Sequence, residues 1–195
     1  MSNIFNVGYY TENDLKQARI KQVGSNVRID RNCTIVGLQS ISIGDNVRID
    51  AYCTIIVPQD GFLSIGSYVH IGGHCHIGAV DGVIMEDYTG LTQGVRIYSC
   101  TDDYGGEYLT NSTVPPEYTG GYGGVVTLKR HAIVGSGSVI LPGVTIGEGS
   151  SVGALSLVNK NLDDWGIYAG CPAHFLRARS KKLLEYEKRL VNKNL

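Results

Sequence analysis

Cysteine never occurs in a Cys-x-x-Cys spacing, and the odd total of five argues against a disulfide framework and for a reducing compartment. Large packing aromatics are scarce, with one tryptophan and three phenylalanines, so a broad core built on such rings is not available. Neither sign of charge dominates. The formal net charge is −1, which leaves no electrostatic footprint for nucleic acid. No apolar run approaches the ~20 residues of a membrane-spanning helix. The first residues, MSNIFNVGYYTEND, lack a basic stretch ahead of an apolar one, so no secretory signal is expected and the cytoplasm is the expected location.

What the chain does have is a period. Leu128, Val134, Ile140, Ile146, Val152 and Val158 recur every six residues, and a small residue follows four positions after each of the first five: Ala132, Ser138, Val144, Ser150 and Ser156. Neither the two-residue period of a half-buried strand nor the 3.6-residue period of a helix gives this spacing. Hexads with one inward aliphatic and one inward small residue predict a β-helix, in which each hexad is a short strand plus a corner and three hexads close one triangular coil. The 26 glycines suit a narrow interior with many corners. The same phase begins at Val23 and runs through Ile29, Ile35, Ile43, Ile49, Ile55, Ile65, Ile71, Ile77, Met85, Leu91 and Ile97, with extra residues at VGLQS, VPQDG and AVDG that place small loops at one corner.

The expected organisation over 195 residues is therefore a single domain: a cap over 1–22, a β-helix over 23–172 and a helix over 173–195. Thr11, followed three residues later by Asp14, predicts a capped short helix over the open end of the solenoid. Cys33, Cys53 and Cys75 fall at the small inward position of successive coils, continued by Val95, Ser138 and Ser156. Stacked at the ~4.8 Å strand separation, they form a column of small buried groups, not a metal tetrahedron. The phase breaks after Ile97. The stretch 102–124, DDYGGEYLTNSTVPPEYTGGYGG, lacks aliphatic hexads and carries Tyr104, Tyr108, Tyr118 and Tyr122, so it reads as an extruded functional loop.

The hexads over Val23–Ile97 and Leu128–Ala173, with VGSGSVILPGVTIGEGSSVGALSLVNK and the later GIYAGCPA, resemble the hexapeptide-repeat acyltransferases. Within these, the arrangement after IYS is similar to the N-acyltransferases acting on nucleotide-linked 4-amino-4,6-dideoxy sugars. The resemblance implies an all-β, left-handed parallel β-helix, a homotrimer with active sites between subunits, and transfer from acyl-coenzyme A to a sugar for surface polysaccharide assembly. It implies no resident metal. It also implies a coenzyme A face on the later coils, formed by Gly135, Ser136, Gly153 and Ala154, with backbone N–H groups of Gly135 or Ala154 as oxyanion donors. Lys160, Pro172, Arg177, Arg179 and Lys181 cluster in sequence near the expected site of the cofactor's phosphates.

Family O-acetyltransferases place a histidine at the extruded loop, whereas this sequence reads SCTDDYGGEY there and has no histidine between His76 and His131. A hydroxyl needs a general base, worth ~10²–10⁴-fold, far more than an amine does. The departure therefore favours an amine acceptor. Asp102, with Asp103 second, is expected to take the proton, and Gln93, Tyr98, Tyr104 and Tyr108 to contact the acceptor. An Asx turn opening the loop is the plainer reading of the two aspartates. Sugar O-acetylation with His131 as base, reaching out to a neighbour's loop, is the alternative. A γ-carbonic-anhydrase-like hydratase using His70, His74 and His76 and a non-catalytic scaffold are more remote; His70 and His76 end successive hexads and so fall at different corners.

Overall fold

The computed structural model describes residues 6–193. Its strands form three sheets, of six, eight and six strands, parallel except for the last strand of the second and joined coil by coil into a prism, plus one two-stranded antiparallel sheet. The expected β-helix is the observed architecture. Strand order follows the hexads: Ile43 pairs with Ile65 in the first sheet, Ile49 with Ile71 in the second and Ile55 with Ile77 in the third.

The hexad positions line the interior. Leu128, Val134, Ile140, Ile146 and Val158 are fully buried, as are the small groups Ala132, Ser138 and Ser150 between them. Buried hydroxyls inside a narrow apolar prism need partners. Ser138 and Ser156 donate to the Gly153 carbonyl at 3.0 and 2.8 Å, and Ser150 donates to that of Asp163 at 2.6 Å. The thiol column is present. Cys33, Cys53 and Cys75 donate to the carbonyls of Asp50, Gly72 and Thr92 at 3.1, 3.2 and 3.1 Å, each bonded to the coil above. The bond with Cys33 alone would lower the Cys53 thiol, but contact with Cys75 and burial outweigh it and push the thiol up to about 12, as befits an inert packing group.

The first helix, α1 (Glu12–Gln17), has the capping box expected of Thr11 and Asp14 and buries Leu15 over the first coil. The small loops occupy the corner between the third and first sheets. There Gly37, at φ +85°, approaches the next coil so closely that a Cβ would lie 1.7 Å from the Val57 carbonyl oxygen. No other residue type fits that position.

The C-terminal segment differs from expectation. His174–Ala178 is not helical but a strand, antiparallel to Gly166–Ala169 at the end of the second sheet. It covers an edge that would otherwise present unpaired backbone groups, and Phe175 meets the Tyr168 ring edge-on at 5.6 Å. The second helix, α2, spans only Leu183–Lys193. Among the described residues no helix is long and apolar enough to cross a membrane.

Candidate active site

The fourth coil gathers the residues expected at the acceptor. Gln93 is exposed at the corner between the second and third sheets, and Tyr98 ends the third-sheet strand Arg96–Tyr98, half-buried against His76. The chain then leaves the prism. Ser99 pins the exit by donating to the Gly78 carbonyl at 3.0 Å and accepting from the Asp81 N–H at 2.9 Å. Cys100–Asp102 and Gly121–Gly123 pair antiparallel, so the extruded loop stands on a stem that starts before Asp102. Asp102 closes the outer rung opposite Gly121, and its exposed carboxylate makes no hydrogen bond among the described residues.

Asp103 is differently placed. It accepts from the Gly105 and Tyr108 N–H groups at 2.7 and 2.8 Å, an Asx turn that shapes the loop. Those bonds, Tyr108's first, hold its carboxyl below the usual range. Tyr108 fills the space over Gly120, whereas Tyr104 projects almost entirely into solvent. Asp102 thus remains the carboxylate free to meet a substrate.

The cofactor residues divide. Gly135–Ser136 and Gly153–Ala154 stack on successive coils at the corner between the second and third sheets. The Gly135 N–H donates to the Val152 carbonyl at 2.8 Å and is therefore occupied; the Ala154 N–H donates to nothing among the described residues. Lys160 lies at another corner, where the chain passes from the third sheet to the first. It lines a cleft of about 510 Å³ with Tyr168, Ala173, His174 and Phe175, next to the exposed Pro172. Lys181 is at the remaining corner, its ammonium 5.2 Å from the Trp165 ring centre. Arg177 is an exposed residue on the edge strand, and Arg179 donates to the carbonyls of His131, Gly149 and Ser150 at 2.9, 2.8 and 3.3 Å, pinning backbone. Closeness in sequence therefore misleads here: the coil turns these basic groups to different sides of the prism. Sequence reasoning named Ser136 but missed its partner beside Gln93: Ser136 donates to Thr92 Oγ1 at 3.1 Å and Thr92 to the Val134 carbonyl at 2.9 Å. Hexad phase marks both as outward and signals nothing more.

His131 is placed differently from Asp102. It points outward as its hexad position requires, but it is 7% exposed because α2 roofs it. Its ring stacks on Tyr88 at 5.1 Å, and its Nε2 lies 2.8 Å from Glu187, which also pairs with Arg130. Burial alone would raise the Glu187 pKa, but its bonds to Arg130 and His131 outweigh that and hold the carboxylate below its ordinary value. His131 fastens a helix, and what remains exposed of it lines a cleft of about 470 Å³ between α2 and the second sheet, with Thr89, Gly90, Ile133 and Leu190.

One chain does not bring the three earlier histidines together. His70 lies on the second sheet, 2.8 Å from Asp50; His74 stacks on Tyr52 at a corner, with ring centres 5.0 Å apart; His76 is on the third sheet. Among the described residues no group of three His, Cys, Asp or Glu side chains is placed to hold a metal.

No family model matches the chain. It is 39% identical over 181 residues to a dTDP-4-amino-4,6-dideoxy-D-glucose acyltransferase of Escherichia coli, spanning 93% of this chain and 94% of that protein. The chain belongs to this acyltransferase family. AntD, an N-acyltransferase from Bacillus cereus solved with dTDP and 3-hydroxybutyryl-CoA, superimposes on the acyltransferase with a TM-score of 0.91 and 38% identity, covering 95% of this chain and 97% of that one. A serine-to-alanine variant of AntD, with dTDP-4-amino-4,6-dideoxyglucose and coenzyme A bound, gives the same TM-score and identity over 95% and 98%. The left-handed solenoid and the acyl-CoA-dependent transferase activity follow for the acyltransferase, which N-acylates a nucleotide-linked amino sugar.

Proposed function

We propose that the acceptor is a dTDP-linked 4-amino-4,6-dideoxy sugar, acylated on its 4-amino nitrogen by a coenzyme A thioester in a homotrimer, for surface polysaccharide assembly in the cytoplasm. The observation that carries this reading is the free Asp102 carboxylate at the root of the extruded loop, where family hydroxyl acylators are expected to place a histidine. The relatives' own substrates supply the nucleotide and the sugar class.

The amine lone pair attacks the thioester carbonyl carbon, and its π electrons move onto oxygen. The unoccupied Ala154 N–H is the oxyanion donor on the coenzyme A face; a well-aimed donor of this kind is worth ~10²–10³-fold. Asp102 accepts the proton from the attacking nitrogen. The tetrahedral intermediate collapses with cleavage of the C–S bond, and the proton passes to the departing sulfur, giving the amide and free coenzyme A. Holding the two substrates against one prism face supplies the remaining advantage, by converting a bimolecular encounter into an oriented one. The loop leaves Tyr104, Tyr118 and Tyr122 exposed, and unpartnered aromatic surface of this kind supports sites shared between subunits.

Two solution measurements test this reading. Light scattering is expected to give three times the chain mass. A thermal-shift screen is expected to show stabilisation by acetyl-CoA and by dTDP-amino sugars, by ~2.7 kcal/mol at a hundredfold excess over Kd. A monomeric protein indifferent to both ligands would refute it.

A further inference from the structure

The outward positions of the third sheet form two columns, read from its register. One runs Thr34, Thr54, His76, Arg96, Val139, and the other Val36, Ile56, Gly78, Tyr98. Below and above, these positions carry hydroxyls and aliphatics. Only on the third and fourth coils do ionisable and aromatic groups appear, and the fourth is the coil from which the loop departs.

The four residues there form one patch. His76 and Arg96 are direct partners across the ladder, as are Gly78 and Tyr98. Having no side chain, Gly78 leaves a gap into which the imidazole leans. A Cβ at Gly78 would lie 3.5 Å from His76 Nε2 and 3.8 Å from the Tyr98 ring, and the two rings meet at 5.2 Å and 38°. Neither His76 ring nitrogen makes a hydrogen bond among the described residues, whereas His70 and His131 are both paired with carboxylates. Burial and the adjacent Arg96 charge hold His76 below its ordinary pKa, so the ring is neutral near pH 7 and keeps a lone pair. Arg96 is exposed; among the described residues its guanidinium makes one hydrogen bond, a long one of 3.4 Å, to the Gly94 carbonyl.

A lone-pair acceptor beside a cationic donor fits a ligand edge that offers an N–H next to a carbonyl oxygen. Among pyrimidine bases, that edge is the imide of a 2,4-dione, with its N3–H flanked by carbonyls; cytosine presents a bare ring nitrogen there and an amino group beside it. Building on the acceptor reading above, we propose that His76 and Arg96 read the imide edge of the acceptor's base while Tyr98 supplies the flat surface on which the base rests. The base N3–H donates to His76, and a base carbonyl accepts from the Arg96 guanidinium. A site built to pair with an N–H rejects analogues that lack it, because its own groups are then left unpaired.

The test is calorimetric titration of the full-length protein with dTDP, UDP, CDP and N3-methyl-dTDP, repeated on His76→Phe, which keeps a flat ring but removes the lone pair. The wild-type protein is expected to bind dTDP and UDP about tenfold more tightly than CDP and N3-methyl-dTDP. In His76→Phe that gap closes to within about twofold, and KM for the sugar nucleotide rises while kcat changes little. A ring serving only packing would weaken all four nucleotides alike, which would overturn the proposal, as would full discrimination by His76→Phe. Base discrimination that depends on His76 in a protein unable to acylate any amino sugar would uphold the site and refute the acceptor reading. Amino-sugar acylation with no preference among bases would do the reverse.

Discussion

Asp102→Asn is expected to lower kcat for amine acylation by about 10²-fold or more with little change in the KM for acyl-CoA. The amide keeps the size of the carboxylate and its place on the outer rung of the loop's stem, opposite Gly121, but it cannot accept a proton. Asp103→Asn is expected to act more mildly, because that side chain shapes the loop through backbone donors that an amide oxygen can still satisfy in part. His131→Ala is expected to lower thermal stability and leave kcat within a few-fold, since the ring lies beneath α2 against Glu187. Steady-state kinetics on the three variants separates these roles. Near-complete loss in His131→Ala alone would return the enzyme to the hydroxyl-acylating class.

A second large effect is expected from the core. Ile77→Ala should cost about 4 kcal/mol, lowering Tm by roughly 10 °C for a chain of this size. Ile77 is fully buried in the third sheet between Ile55 and Ile97, and the rigid ladders on either side leave little room for collapse into the cavity. In a solenoid each coil supports only its neighbours, so the loss also weakens the junction between the early coils and those carrying the loop. Thermal or urea denaturation measures it. A loss below about 1 kcal/mol would mean that the interior is not packed at native density.

The inside of this protein was legible because burial is encoded directly. A six-residue period fixes which side chains point inward, and the hexads, the thiol column and the Thr11–Asp14 cap all appear where the pattern puts them. The outside was less so. The period marks a residue as outward but says nothing of what covers it, so His131 gave no sign that α2 would roof it. The basic residues after Lys160 look like one cluster in sequence, yet a coil that turns at every hexad sends Lys160 and Lys181 to different corners. His174–Ala178 reads as the start of a helix because its charged and apolar residues suit one; the unpaired end of the second sheet recruits it as a strand. At the site itself, the missing histidine and the aspartate pair were visible, but only the Asx turn at Asp103 distinguishes the two carboxylates.

The acylated atom decides the central claim. Purified enzyme is incubated with acetyl-CoA and either dTDP-4-amino-4,6-dideoxyglucose or the same sugar nucleotide with a 4-hydroxyl, and the products are assigned by NMR and mass spectrometry. The expected result is a single amide at the 4-amino nitrogen, equimolar with released coenzyme A, and at most trace transfer to the hydroxyl compound. Preferential ester formation on the hydroxyl sugar would contradict it.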